Sequence, residues 1–350
     1  MKRKSLSAKR KTLNFYLTKL KDPKIQKLYK VFSNNLASLN LSNKRMMVGV
    51  SGGIDSLSLL FFSQCFALKN NAKLYPVIID HKLREGSTNE AKSLKYKLKK
   101  NFKINCKILS KKKNKLDKNI QSHARELRYD LFFNECNKYN ISYLLLGHHK
   151  DDLIENFFIR FLRGSGLKGL VSFEKNINNY NGIKIVRPLL STSKKELIEI
   201  NKKTFEFFVD DPTNNNDKFL RNRIRKLIKN LDKEGLNFSK FYLTLKNLSK
   251  SDQVIEFFTE KNIVENSKYI EKDKKIILNK SFFNNPDEVI LRSFTQVMRY
   301  ISMKKNYPRG KKVVRLLDSL KFSNKNLKLT LYGCIIEKIN DSVIIYPEKG

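Results

Sequence analysis

The sequence predicts an α/β fold: a parallel, doubly wound sheet followed by a smaller C-terminal α+β domain. Three observations lead there. Short apolar runs alternate with helix-length stretches from Met46 to Val186, the pattern of a parallel sheet covered by helices on both faces. The polar segments "SGGIDS", "DHKLR" and "GHHKDD" each follow one of those runs, and ligands of such sheets collect at the C-terminal ends of the strands. Beyond residue 250 the order changes to helices and then strands, which is α+β.

Taken in order, Ile25 to Leu41 has helical apolar spacing and is expected beside the first strand. Strands are predicted at Met46–Val50, Leu74–Ile79, Asn105–Leu109, Ile141–Leu146 and Ile183–Val186, and helices at Ser56–Leu68, Thr88–Phe102, Ile120–Tyr139 and Asp152–Leu162. In "RPLLSTSKKELIEI", Ser193 and Glu196 have capping-box spacing and open another helix. After the polar stretch "DDPTNNNDKF" a basic helix runs from Leu220 to Lys229. A boundary is placed between Leu236 and Ser251. Helices then follow at Asp252–Lys261, Pro286–Met303 and Lys312–Leu320, and strands at "LKLTLYG", "CIIEKI" and "SVIIYPE". Asn340, Asp341 and Ser342 supply the turn chemistry between the last two strands. The expected organisation is a basic arm over 1–24, a main domain over 25–240 and an α+β domain over 250–350. The runs "KKKNKLDK" and "KNINNYNG" read as loops.

At 350 residues the chain is long for one core, which agrees with two domains. Lys and Arg number 72 against 33 acids, a net charge of +39 that calls for an anionic partner, most often a phosphate backbone. The competing reading is a compositional habit, because lysine is just as dense on surface stretches such as Lys92 to Lys100. Cys65, Cys106, Cys136 and Cys334 lie far apart with no CxxC. That fits neither a zinc knuckle nor a disulfide framework and points to reduced thiols in the cytoplasm. The basic start "MKRKSLSAKRK" leads into no signal-type apolar core. No segment approaches the ~20 apolar residues of a membrane span, so no membrane partner is expected.

The chemistry begins at "VSGGIDSLSL", Val50 to Leu59. Gly52 and Gly53 let backbone N–H groups approach an anion, Ser51 and Ser56 add hydroxyls, and the following helix points its positive end at the same spot. No Lys-Ser/Thr pair follows, so this is not a Walker A loop. Asp55 beside a phosphate is repulsive unless a cation lies between them, and Mg²⁺ is the obvious one. In "GHHKDDLIENFFIRFLRGSGLKGL", Asp152 and Glu155 share a helix face. They either complement the helix dipole or work beside the phosphate loop, with Asp55 and Asp152 sharing one Mg²⁺ and Glu155 orienting or deprotonating a second substrate. Adjacent His148 and His149 cannot both face one metal from a helix, which disfavours zinc; they read as nucleotide neighbours or as loop packing. Arg125 and Arg128 in "HARELRYDLFF" are spaced to fork onto a phosphate or a polar base edge. Arg221, Arg223 and Arg225 line the basic helix, and the turn "RGSG" could lie against a backbone phosphate.

"SGGIDS" resembles the signature of the PP-loop ATP pyrophosphatases, which grip the β- and γ-phosphates of ATP and cut between α and β. In order, "VSGGIDSLSL", "DHKLR", "HARELRY", "HHKDDLIENFFIRFLRGSGLKGL", "RPLL" and "DPTNNNDKFLRNRIR" resemble the N-terminal domain of the tRNA(Ile)-lysidine synthetases over most of its length. "LTLYGCIIEK" is similar to that family's C-terminal region. The resemblance implies a PP-loop, adenine nucleotide α-hydrolase-like fold for 25–240 and a tRNA-binding type of α+β domain for 250–350. It implies adenylation of the wobble cytidine of tRNA(Ile) with the anticodon CAU, then attack by lysine to form lysidine. Carried over motif by motif, Ser51, Gly52, Gly53, Ile54, Asp55 and Ser56 bind ATP, and Asp55 with Asp152 holds Mg²⁺. Glu155 handles the lysine amine, Arg128, with Arg125 as the second candidate, orients the cytosine, and Arg221 and Arg225 neutralise charge near the α-phosphate. A homodimer is left open. The chain departs from the family at Leu153 and Asn156, where Gln and Thr are usual, and at Lys82, where Gly is usual. The rivals are a PP-loop tRNA sulfurtransferase, which would need the paired cysteines this chain lacks, an amidotransferase-linked ligase, and a non-catalytic basic RNA-binding protein.

Overall fold

A computed structural model describes residues 15–82, 86–110, 120–173, 177–180, 182–209, 220–304, 307–322 and 326–348. The start of the basic arm, the run "KKKNKLDK", the stretch "DDPTNNNDKF" and the last two residues of "DHKLR" lie outside them. The chain divides into two compact units, Met1–Tyr242 and Leu243–Gly350.

The first unit is built on a six-stranded sheet: β1 (Arg45–Gly49), β2 (Lys73–Asp80), β3 (Lys107–Ser110), β4 (Tyr143–Leu145), β5 (Ile177–Tyr180) and β6 (Ile183–Val186), in the order β3-β2-β1-β4-β6-β5. All neighbours run parallel except β5, which is antiparallel to β6. This is the predicted α/β architecture, with one correction. "KNINNYNG" is expected as a loop, yet Ile177–Tyr180 forms an edge strand that returns through Gly182, at φ +82°, into β6. Its asparagines hide it from any hydrophobic pattern, and an edge strand needs little apolar surface. Pro76 lies within β2 opposite Val48 of β1, while pairing with β3 starts only at Val77. The proline therefore sits where only one side of β2 is paired.

Helices cover both faces. On one lie α1 (Pro23–Ala37), α2 (Ile54–Lys69), α3 (Ser87–Phe102) and α7 (Lys194–Lys203); on the other, α4 (Ile120–Lys138). Alternation along β1 makes the division: Met46, Val48 and Val50 pack with Leu57, Leu60, Leu94, Leu98 and Leu197, whereas Met47 packs with Phe132, Cys136 and Leu144. Helix α2 is buried along most of its circumference, which fixes the phosphate-loop junction in front of it. The remaining helices of this unit are α5 (Lys150–Phe161), α6 (Leu167–Val171) and α8 (Leu220–Lys233).

The second unit carries an antiparallel sheet, β7 (Ser267–Ile270), β8 (Lys275–Leu278), β9 (Leu327–Leu331), β10 (Cys334–Ile339) and β11 (Ser342–Pro347), in the order β7-β8-β11-β10-β9. Its core holds Leu278, Phe294, Met298, Val313, Cys334 and Ile336, with α10 (Asp287–Ser302) and α11 (Gly310–Phe322) against the strands. The lysine-rich hairpin of β7 and β8 is missing from the sequence reading. The helix expected to begin at Asp252 is part of a longer one, α9 (Phe238–Asn266), and the division between the units falls inside it. No helix among the described residues is long and apolar enough to cross a membrane.

Candidate active site at the C-terminal edge of the parallel sheet

Between β1 and α2 the chain turns through Ser51, Gly52 and Gly53. Gly52 has φ +88°, and a Cβ there would lie 2.8 Å from Val209 and 3.0 Å from Leu94, so neither the conformation nor the space admits another residue. The Ser56 hydroxyl gathers the loop: it accepts from the Ser51 and Gly52 N–H groups at 3.1 Å each and donates to the Gly53 carbonyl at 2.9 Å. Gly53 is the N-cap of α2 and supplies no side-chain acceptor. The first amides of a buried sixteen-residue helix are thus left for an anion.

The adjacent junction follows β4. Gly147 brings it close, because a Cβ there would be 3.1 Å from the Asp55 carbonyl oxygen. His149 is the N-cap of α5: its Nδ1 accepts from the Asp151 N–H at 3.3 Å, and its own N–H donates to Asp152 Oδ2 at 2.9 Å. With Nδ1 accepting, the proton of the neutral ring is on Nε2. That atom lies 3.7 Å from Asp55 Oδ2 and 3.6 Å from Asp152 Oδ2. The two carboxylates predicted to converge are therefore neighbours of one imidazole edge. Asp152 caps its helix through Oδ2, the same oxygen that faces His149 Nε2, and meets Arg221 through Oδ1.

Each acid has a cationic partner. Lys194 Nζ is 2.6 Å from Asp55 Oδ1. The Arg221 guanidinium bonds both Asp152 and Glu155, and Arg225 Nε donates to Glu155 Oε1 at 2.7 Å. Burial would push the Asp152 carboxyl up, but His149 and Arg221 outweigh it and hold the group below the usual carboxylate range. Asp151 goes the other way, raised by burial with Glu155 and Asp152 adding to the effect. The two adjacent aspartates are thus shifted in opposite directions.

A basic wall completes the site. Arg128, exposed on α4, donates from Nε to His81 Nε2 at 3.3 Å. Arg125 lies over the Tyr129 ring at 5.3 Å. His148 is pushed down to about 3, chiefly by burial, and its ring meets Phe173 edge-on. Arg221 and Arg225 share the inner face of α8 while Arg223 is exposed, so the four-residue spacing selects two arginines of the three. "RGSG" forms the turn between α5 and α6, with Gly164 at φ +67°.

Three residues of the site carry no individual role in the sequence reading. Lys194 opens α7, whose predicted capping box of Ser193 and Glu196 is present. It reaches Asp55 because α7 packs on α2, where Ser58 Oγ donates to the Leu197 carbonyl at 3.1 Å. His81 ends β2. Arg187 of "RPLL" is buried, bonded to Asn178 and set over Phe173 at 4.8 Å. Only the capping box hinted at any of them.

Among the described residues no group of three or more His, Cys, Asp or Glu side chains is placed to cage a metal. Two carboxylates beside the uncapped start of α2 nevertheless fit Mg²⁺, which takes one or two carboxylates and completes its shell with phosphate and water.

The PP-loop domain family model matches residues 21–231. The tRNA(Ile)-lysidine synthase of Rickettsia akari (strain Hartford) is 34% identical over 332 residues, covering 92% of this chain and 74% of its own length. That of Wolbachia pipientis wMel is 31% identical over 326 residues, covering 91% and 74%. Among solved structures, the U34-tRNA thiolase NcsA from Methanococcus maripaludis aligns with a TM-score of 0.55 at 18% identity, over 65% of this chain and 78% of that one, a likeness of fold.

Proposed function

The chain belongs to the tRNA(Ile)-lysidine synthases of the PP-loop family, and from that premise we propose that it joins lysine to C2 of the wobble cytidine of tRNA(Ile) with the anticodon CAU, converting ATP to AMP and pyrophosphate. The strongest support is the meeting of Asp55 and Asp152 about His149 Nε2 at the mouth of a Gly-rich loop, with buried Glu155 one turn along α5.

In this reading the β- and γ-phosphates lie in the arc of Ser51–Ser56, against the free amides of α2. Asp55 and Asp152 would hold Mg²⁺, which when bound would neutralise charge on the phosphate oxygens. Cytosine O2 attacks the α-phosphorus; the O2–P bond forms, the bond to the bridging oxygen breaks, and pyrophosphate leaves with the electron pair. The lysine ε-amine then adds to C2, the C2–O2 bond breaks, and AMP departs carrying O2. A protonated amine cannot attack, so its proton passes to a carboxylate, the role assigned to Glu155. Arg221 and Arg225 hold Glu155 in this structure. When the α-phosphate takes those guanidiniums, the Glu155 carboxylate is released to face the incoming amine, so phosphate binding and amine handling are linked.

The four cysteines argue against sulfur transfer. All are buried, and burial first of all raises Cys65, Cys106 and Cys136 to about 12 and Cys334 to about 11, far from a reactive thiolate. The test is incubation of the protein with ATP, Mg²⁺, radiolabelled lysine and tRNA(Ile) or tRNA(Met) transcripts. Label is expected in tRNA(Ile) alone. ATP cleavage with no lysine transfer to it would overturn the reading.

A further inference from the structure

An arginine that orients a neutral base faces a physical conflict. Its flexible side chain loses rotamer entropy when it is held in one orientation, so it needs a tether. The usual tether, a carboxylate, would also cancel the charge that the developing phosphoester needs. The pairs on the other side of the site take the carboxylate route: Arg221 and Arg225 are bound to acids. Arg128 is not. Among the described residues its guanidinium has no carboxylate partner, and its one hydrogen bond runs from Nε to His81 Nε2 at 3.3 Å.

His81 is built for that contact. An imidazole that accepts at Nε2 carries its proton on Nδ1, and Nδ1 is buried with no hydrogen-bond partner. Burial first, then the Arg128 charge, push the ring down to about 4, so it is a neutral acceptor at physiological pH. The backbone on both sides is pinned by buried Asp80. Its Oδ1 accepts from the Lys82 N–H and the Ser87 hydroxyl at 3.0 Å each, and its Oδ2 from the Thr88 hydroxyl at 2.7 Å. The end of β2 and the start of α3 therefore clamp the histidine between them. Because β2 lies beside β1 in the sheet, that clamp stands on the same strand edge as the phosphate loop.

We propose that His81 is a positioning residue for Arg128, a neutral acceptor that fixes the Nε edge of the guanidinium so that its two terminal nitrogens face the cytosine with their charge uncompensated. The inference rests on the lysidine reading for its catalytic meaning, but the tether itself is a property of the protein alone.

The experiment therefore has two parts. In the free protein, the ¹⁵N-detected Nε–H of Arg128 should exchange slowly with solvent in wild type and in His81→Gln, whose amide oxygen replaces the acceptor, and fast in His81→Ala. Equal exchange in wild type and His81→Ala would overturn the tether whatever the enzyme does. In the lysine-incorporation assay, His81→Ala should lower kcat about 10- to 100-fold, the range for a misplaced orienting group, with KM for ATP unchanged. His81→Gln should recover most of it. The His81→Ala/Arg128→Ala double variant should be no slower than Arg128→Ala, because the histidine acts only through the arginine. Losses that multiply in the double variant, or a His81→Gln variant as slow as His81→Ala at an unchanged Tm, would overturn the positioning role. Protected Arg128 in an inactive wild type would instead count against the lysidine assignment and leave the tether standing.

Discussion

Each unit of the chain contains arginines bound to several carboxylates, and the two clusters differ in which partner is hidden. At the sheet edge Asp152 and Glu155 are sunk and their arginines stand further out: the acids expose 9% and 4% of their side chains and Arg221 and Arg225 40% each, while the Asp55–Lys194 pair is open on both sides at 31% and 37%. In the second unit Arg292 of α10 is the buried member at 6%, gripping buried Asp252 of α9 at 2.7 Å and Glu288 at 2.8 Å, with Glu256 at 3.7 Å. Cations with solvent access can exchange a carboxylate for a phosphate at little desolvation cost. A guanidinium sealed among carboxylates cannot leave without stranding them. The first arrangement suits a site whose charges must change partners, and the second suits a latch between helices.

The sharpest way to break that contrast is to remove an acid at the site. Asp55→Ala should abolish pyrophosphate release, a loss of about 10³-fold or more by analogy with single electrostatic groups in other active sites. tRNA affinity by filter binding should change little. Lost tRNA binding, or retained pyrophosphate release, would place Asp55 in the structure rather than the chemistry. The counterpart in the second unit is Arg292→Met. It leaves Asp252 buried without its charge partner and should cost about 3–5 kcal/mol, read as a lower denaturant midpoint for the transition of that unit. A neutral outcome would mean that the cluster is no latch.

A smaller effect separates the clusters by pH. The Asp152 carboxyl is held below its ordinary range, so the stability it contributes is fully present above the unfolded-state pKa of about 4. That stability is lost as the pH falls through the lower native value. Asp152→Asn removes this component, and the urea midpoint of the first unit should fall less between pH 6 and pH 3 in the variant than in wild type. Equal slopes would show that His149 and Arg221 do not stabilise the anion.

What the sequence could reveal followed from the kind of signal each feature leaves. The parallel strands were legible because each is a short apolar run closed by a helix, and the loop, Asp55, Asp152 and Glu155 because glycines and acids at strand ends have few other uses. Edge strands β5 and β7 carry asparagine and lysine, so no apolar alternation marks them, and β8, an interior strand, offers only the three apolar residues Ile276, Ile277 and Leu278. Lys194, His81 and Arg187 were opaque for a different reason. Each meets the site through sheet order and helix packing, as when α7 folds over α2 to deliver Lys194 139 residues away from Asp55, and local pattern holds no trace of that. The absence of paired cysteines, by contrast, was visible at once and kept sulfur chemistry aside.

The smallest predicted effect bears on the loop that carries His81. Lys82 stands where the family usually has glycine, and it adopts φ +51°, the left-handed conformation that glycine reaches freely. A non-glycine residue there carries strain of about 1 kcal/mol, which the bond from its N–H to Asp80 at 3.0 Å helps to hold in place. Lys82→Gly keeps that bond and removes the strain, but it also gives the unfolded chain more freedom, an offset of about 0.4–1 kcal/mol. The net change should be under about 1 kcal/mol in the urea midpoint, with kcat for lysine incorporation unchanged because the Asp80 clamp on His81 stays intact. A fall in kcat comparable to that of His81→Ala would mean that the lysine side chain, and not the backbone turn, sets the position of the histidine.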